Sequence, residues 1–237
     1  MKRLQTKTAR LITEIFGRLD YERLSPIYCD EGGDAFWNDR RGPCQILGIA
    51  LAEVLLNRLP AAGRSLYVGA GVAELPVLLM EVLDLGRSFD AFNLRAGEVG
   101  VLNQACKGLP FRISGHDARS ARGTFDHLWI VSVLNDPEQY PEVSALSYGR
   151  ANPVTFDSTA FADQRTNVLT LADACLRKLV LPALVSTSVE EIPWITEWCE
   201  RNKIEYVVEE EDYPTAIVED PVCFITLGLG SASKKRL

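Results

Sequence analysis

Two glycines one residue apart, Gly69 and Gly71, follow the apolar run Leu66-Tyr67-Val68 and precede an apolar, helix-like pattern that opens at Val72. Missing Cβ atoms let a chain leave a strand sharply and let a ligand lie against the backbone, close to the first amides of the next helix. The third glycine of the dinucleotide fingerprint is absent, because Glu74 stands at its position. No Gly-Lys-Ser/Thr follows to grip phosphate and magnesium, and no Gly-x-Ser-x-Gly elbow offers a hydrolase nucleophile. His116 and His127 are the only histidines, so a multi-histidine metal centre is not available, and no bound metal is expected. His127 lies on an alternating strand pattern and reads as structural.

The surrounding pattern says what must position this turn. Leu4, Leu11, Ile12, Ile15, Phe16 and Leu19 form one helical stripe, which predicts a packing helix over 4–19. The stretch 25–43 is rich in Gly, Asp and Pro and carries Tyr28, Phe36 and Trp37, so it reads as an ordered loop or lid. A helix over 44–59 ends at Pro60-Ala61-Ala62-Gly63. From Ser65 onward the pattern predicts strands near 65–69, 88–93, 110–115, 125–131, 182–187, 204–209 and 222–228. The intervening helices fall near 72–84, 96–106, 162–179 and 189–202. Strands separated by single helices imply a mostly parallel sheet covered on both faces. The last two strands are joined without a helix across Glu210-Glu211-Asp212-Tyr213-Pro214, which predicts an antiparallel hairpin. Residues 133–161 show no regular pattern yet hold Tyr140, Tyr148, Arg150, Asn152 and Phe156, as a substrate or partner loop would. The expected organisation is an N-terminal helical and lid extension, 1–62, followed by an α/β domain, 63–237.

Composition narrows the function classes. With 237 residues and 47% hydrophobic content the chain can build a sizeable core, and its net charge of −7 disfavours a broad electrostatic grip on nucleic acid or on an anionic membrane. Six scattered cysteines without a Cys-x-x-Cys pair read as reduced core thiols of a cytoplasmic protein. The basic start Met1-Lys2-Arg3-Leu4 leads into no apolar run, so no secretory signal or membrane span is expected. The acidic run Glu209-Glu210-Glu211-Asp212 reads as a solvated sheet edge, the Lys234-Lys235-Arg236 tail as a solubilising end, and the Trp194/Trp198 pair as core packing.

The order of elements over about 44–229 resembles the class I S-adenosylmethionine-dependent methyltransferases. That resemblance implies a three-layer α-β-α Rossmann-like fold whose mostly parallel seven-stranded sheet ends in an antiparallel hairpin. Leu66-Tyr67-Val68-Gly69-Ala70-Gly71-Val72-Ala73 fills the frame of the family's first motif, with Tyr67 where an acid is usual and Ala73 at the last glycine. Asn93, followed by Leu94, stands where the family carries the acid that accepts the ribose hydroxyls. Glu98, one helical turn on, is a possible substitute whose ordinary reading is a solvated helix residue. Ser114-Gly115-His116-Asp117-Ala118 resembles the family's adenine-contacting Gly-Asp-Ala turn, although Asp117 also suits a helix cap. Phe125-Asp126-His127-Leu128-Trp129-Ile130-Val131 resembles the fourth strand, with Asp126 as a structural strand-entry residue, and the loop after it begins Ser132-Val133-Leu134-Asn135-Asp136-Pro137.

The resemblance therefore implies S-adenosylmethionine as cofactor, bound by Tyr67, Gly69, Ala70, Gly71, Asn93, Leu94, His116, Asp117, Ala118 and Ser132. Trp37, Asn135 and Tyr148 are the candidate substrate contacts. Asp136 and Tyr140 are candidate bases for an acceptor that enters protonated. The implied activity is methylation of a small molecule or a protein side chain. The Asn-Pro-Pro-aromatic motif of amino-methylating nucleic-acid enzymes is missing, so a nucleic-acid substrate is not expected. Loss of the usual acids at Tyr67 and Asn93 leaves a second reading open, a catalytically inactive methyltransferase-like binding or scaffold protein. A nicotinamide-dependent oxidoreductase would need a third glycine and a ribose acid after the second strand, and neither is present.

Overall fold

A computed structural model describes residues 2–29, 35–215, 217 and 220–228. Among these, the seven strands form one sheet of order β3-β2-β1-β4-β5-β7-β6. The sheet is mostly parallel, closes with an antiparallel hairpin and is flanked by helices, as a Rossmann-like methyltransferase fold requires. The chain divides into two compact units, Met1–Arg122 with Tyr213–Glu219, and Gly123–Asp212 with Asp220–Leu237. The Lys234-Lys235-Arg236 tail and positions 30–34 of the expected lid lie outside the described residues.

The first unit holds α1 (Thr6–Arg18), α2 (Tyr21–Tyr28), α3 (Phe36–Leu56), β1 (Arg64–Val68), α4 (Leu75–Leu83), β2 (Ser88–Phe92), α5 (Ala96–Ala105) and β3 (Ile113–Ser114). β1 pairs in parallel with β2 from Arg64↔Ser88 to Val68↔Phe92, and β2 with β3 at Ala91↔Ile113 and Phe92↔Ser114. Residues 1–62 therefore contribute helices to the same compact unit as these strands. Their attachment is polar as well as apolar: Thr8 Oγ1 donates to Asp84 at the end of α4, and the Gln5 amide donates to the same carboxylate at 2.9 Å.

Helix structure reaches further into 25–43 than the sequence suggests. Instead of a loop, the end of α2 and the first turns of α3 occupy most of its described positions, and α3 runs through Gly42-Pro43. Pro43 lies inside this helix and is exposed, while Trp37 in its first turn is buried at 1% exposure and anchors that turn. The third strand is two residues long, shorter than the expected 110–115.

The centre of this unit contains a buried ion pair. Arg87 Nε lies 2.9 Å from Glu81 Oε2 with both side chains fully buried, and Ser65 Oγ donates to the same carboxylate at 2.6 Å. Tyr67 Oη donates to Glu81 Oε1 at 2.5 Å, and Arg87 Nη1 donates to the Pro60 carbonyl at 2.8 Å. Every member has several partners, which a charge removed from water requires.

The second unit holds β4 (Phe125–Ile130), α6 (Pro141–Ser147), α7 (Ser158–Leu176), β5 (Leu179–Ser188), α8 (Ile192–Asn202), β6 (Tyr206–Val208) and β7 (Val222–Leu227). β5 pairs in parallel with β4 and antiparallel with β7, and β6 pairs with β7 from Tyr206↔Leu227 to Val208↔Ile225. The expected irregular stretch 133–161 contains α6 and the start of α7. Gln164 Oε1 on α7 accepts from the Glu142 and Val143 amides at 2.9 and 3.2 Å, so the cap of α6 comes from a residue far along the chain. Asp157 caps α7 through the Thr159 and Ala160 amides. Trp198 is buried, and His127, fully buried on β4, lies 2.9 Å from Ser186 Oγ.

Glu81→Ala is expected to cost about 3–5 kcal/mol in urea denaturation, because it strands a buried guanidinium. Arg10→Ala, which removes an exposed i,i+4 pair with Glu14, is expected to cost under about 0.5 kcal/mol in the same experiment.

Candidate functional site

In the first unit the glycine turn leaves β1 at Gly69, whose φ of 76° a side chain with a Cβ adopts only under strain. The next residue is held from both sides. The Ala70 amide donates to the Phe92 carbonyl at 2.9 Å, and the Ala70 carbonyl accepts from Asn93 Nδ2 at 2.9 Å. The end of β2 thus fixes the turn at the end of β1, and the Asn93 amide, donating to the Ser114 carbonyl at 2.9 Å, ties in the end of β3. Asn93 is buried. Its Oδ1 accepts from the Arg95 amide at 2.8 Å and its Nδ2 also donates to Glu98 Oε2 at 2.9 Å.

Gly71 is a close-approach glycine. A Cβ placed there would lie 2.8 Å from Glu98 Oε1, 3.0 Å from Tyr28 Oη and 3.4 Å from Glu74 Oε2. Tyr28 Oη donates to Glu98 Oε1, the Val72 amide donates to the Glu98 carboxylate, and the Gly71 amide donates to Glu74 Oε2 at 2.8 Å. Glu98 is 1% exposed, which overturns its ordinary reading as a solvated helix residue. Burial raises its pKa, with the Tyr28, Asn93 and Arg95 interactions and the Val72 amide working against the rise. On α3, burial and then the Glu74 and Glu98 carboxylates push the Cys44 thiol up to about 12.

Other candidates in this unit separate into two groups. Leu94 is 56% exposed, and Gly115 and His116 are exposed, so the ends of β2 and β3 present an open apolar side chain and an open imidazole. Asp117 accepts from the Arg119 amide and guanidinium at 2.8 Å, which holds its carboxyl below the usual range and makes it the cap of the short turn 118–120, where Ala118 is buried. Tyr67 is directed the other way. It is fully buried and its hydroxyl meets Glu81 in the core, because the strand alternation that faces Val68 one way faces Tyr67 the other. Trp37 packs among Tyr21, Tyr28 and Phe36 with ring centroids 5.5, 4.9 and 5.3 Å away, so it supports the wall and offers no surface to a substrate.

In the second unit the loop after β4 is organised by a residue that sequence reasoning missed. Glu191, fully buried before α8, accepts from the Ser132 amide at 3.0 Å and from the Val133 and Leu134 amides. Thr187 Oγ1 donates to the same carboxylate at 3.2 Å. Ser132 stands at a positive φ of 55°, which this carboxylate supports by gathering three successive amides. Desolvation raises the Glu191 pKa, opposed by hydrogen bonds from Leu134, Ser188 and Val133.

Asn135 is buried, accepting from Trp194 Nε1 at 2.8 Å and donating to the Glu190 carbonyl at 2.8 Å, so both ends of its amide serve the fold instead of an incoming substrate. Asp136 is half-buried and caps the turn at Glu138, while Tyr140 is buried. Tyr148 Oη donates at 2.9 Å to Asp220, which is fully buried, and desolvation followed by that carboxylate raises the phenol pKa. Among the described residues no cluster of three or more His, Cys, Asp or Glu side chains suits a metal ion, and no helix is long and apolar enough to cross a membrane.

With this geometry the chain has the fold of the class I S-adenosylmethionine-dependent methyltransferases. It is similar over 95% of its length to 99% of magnesium protoporphyrin IX methyltransferase from Synechocystis PCC 6803, solved with S-adenosylmethionine bound, at TM-score 0.52 and 12% identity. It is similar over 76% of its length to 82% of a methyltransferase from Pyrococcus furiosus, at TM-score 0.50 and 14% identity. No family model and no curated protein sequence matches the chain.

The raised pKa of Glu191 fixes the sign of a pH effect. The folded protein holds the proton more tightly than the unfolded chain, so stability present below the ordinary carboxylate value of 4.5 is lost as pH rises through the raised folded value. Urea midpoints measured from pH 4 to pH 8 are expected to fall for the wild type, and Glu191→Gln is expected to flatten that slope while lowering stability below pH 4.5.

Proposed function

We propose that the chain is an S-adenosylmethionine-dependent methyltransferase acting on a small molecule or a protein side chain. The observation that carries this reading is the glycine turn, with Gly69 at positive φ and Ala70 clamped through both its amide and its carbonyl to the end of β2. The residues fit a nucleoside ligand. Gly71 leaves room for the Glu98, Tyr28 and Glu74 side-chain ends that a Cβ would displace, the Glu98 carboxylate lies against the turn, and Leu94 and His116 are exposed at the neighbouring strand ends.

When bound, S-adenosylmethionine supplies an electrophilic methyl group on a sulfonium. The chain's part is to bind, orient and exclude water, since in-line displacement is accelerated largely by alignment. Gly69, Ala70 and Gly71 give the backbone platform, and Asn93 holds it in register with β2. Of the two base candidates Asp136 is the one that reaches the surface, and an acceptor that enters neutral needs no base. The absence of a membrane or nucleic-acid partner, and a cytoplasmic location, belong to the same proposal and rest on charge and composition.

One observation favours the alternative of a catalytically inactive methyltransferase-like binding or scaffold protein: the space in front of Gly71 is already met by Tyr28, Glu74 and Glu98. Isothermal titration with S-adenosylmethionine and S-adenosylhomocysteine separates the two. Binding that Gly71→Arg abolishes, in a variant that keeps its far-ultraviolet circular dichroism, supports the enzyme. No heat from either compound at millimolar concentration overturns it in favour of the scaffold.

A further inference from the structure

Among the described residues of the first unit, Glu98 is buried, lies against the glycine turn and is bonded to the Tyr28 side chain of the separate N-terminal helix α2. Its partners are of two kinds. Asn93 Nδ2 and the Val72 amide belong to the strand end and the turn, and they cannot leave without dismantling the fold around Ala70. Tyr28 Oη belongs to the last residue of α2, a helix of eight residues that rests on α5 where Ile27 approaches Gly97 closely. The Tyr28 ring is half-buried against Phe36 and Trp37, with centroids 5.9 and 4.9 Å away. It presents a single neutral hydroxyl donor, the same group a sugar presents, at the face of the turn where Gly71 lacks a Cβ.

We propose that Glu98 is the carboxylate that receives a ribose hydroxyl of the cofactor, and that the Tyr28 hydroxyl holds this position until the ligand displaces it. The proposal rests on the methyltransferase reading and assigns the recognition of the sugar within it. A buried carboxylate deprived of a donor is costly, so a placeholder keeps Glu98 satisfied while the site is empty, and exchange of one hydroxyl for another leaves its hydrogen bonding unchanged. Asn93 then acts as a positioning residue. A neutral amide at the end of β2 cannot itself make the charge-assisted contact, but it donates to Glu98 Oε2 and to the Ala70 carbonyl together, and so carries a carboxylate from α5 to the turn. Ligand binding is coupled to α2 because one acceptor serves both.

Isothermal titration with S-adenosylhomocysteine tests this in the full-length wild type, Tyr28→Phe, Glu98→Gln and the double variant, alongside amide hydrogen exchange of the wild type with and without ligand. Tyr28→Phe removes the competing donor and is expected to bind about tenfold tighter, a difference of about 1.4 kcal/mol. Glu98→Gln is expected to bind at least about tenfold more weakly, and the double variant no better than Glu98→Gln, since the gain requires the carboxylate. Wild-type exchange in 21–28 is expected to accelerate when ligand is added, a readout that needs no variant to fold. Unchanged or weaker binding by Tyr28→Phe with slowed exchange in 21–28 overturns the placeholder while leaving the methyltransferase reading intact. No binding by the wild type or any variant overturns that reading, and the placeholder with it.

Discussion

The Glu98 carboxylate is the interaction around which the first unit's site is arranged. It sits at the first turn of α5, yet its donors come from the glycine turn, the end of β2 and the end of α2. A charge or an unshared proton in so dry a place costs several kcal/mol unless it is fully bonded. That requirement draws three segments far apart in sequence to one point and keeps the backbone of Gly69–Val72 open toward them. The same requirement explains why an amide suffices at position 93, because its work is to hold two acceptors, Ala70 and Glu98, at a fixed separation.

The second unit repeats the device with different residues. Glu191 gathers the amides of Ser132, Val133 and Leu134, and Asn135 is locked by Trp194 and the Glu190 carbonyl. In both units the loop that leaves the end of a parallel strand is shaped by a buried acid from a later helix or helix-initiating turn. Irregular backbone at strand ends has amides with no ladder to join, and a carboxylate satisfies several at once.

Sequence pattern made the sheet legible because strand alternation and helix period are local. The seven strands, the crossover helices and the closing hairpin all follow from apolar residues a few positions apart. What local pattern could not carry was any feature whose partner lies elsewhere in the chain. Helix α6 was hidden because Gln164 supplies its cap, and the start of α3 was hidden because Gly42-Pro43 reads as a stop while the buried Trp37 that overrides it reads as a lid aromatic. The glycine turn and Asn93 were visible as candidates. The direction of Tyr67, bonded to Glu81 from within the core, depended on which face of β1 is covered by α4. Glu98 looked like a surface helix residue because nothing near it in sequence reveals Tyr28, and Glu191 had no motif at all.

The central claim, that this glycine turn binds a nucleoside cofactor whose sugar replaces Tyr28 on Glu98, is tested most directly by a crystal structure of the protein grown with S-adenosylhomocysteine. The nucleoside is expected along Gly69–Gly71, with a ribose hydroxyl on Glu98 and Tyr28 Oη displaced from that carboxylate. A ligand bound elsewhere, or bound at the turn with the Tyr28–Glu98 hydrogen bond intact, would contradict it.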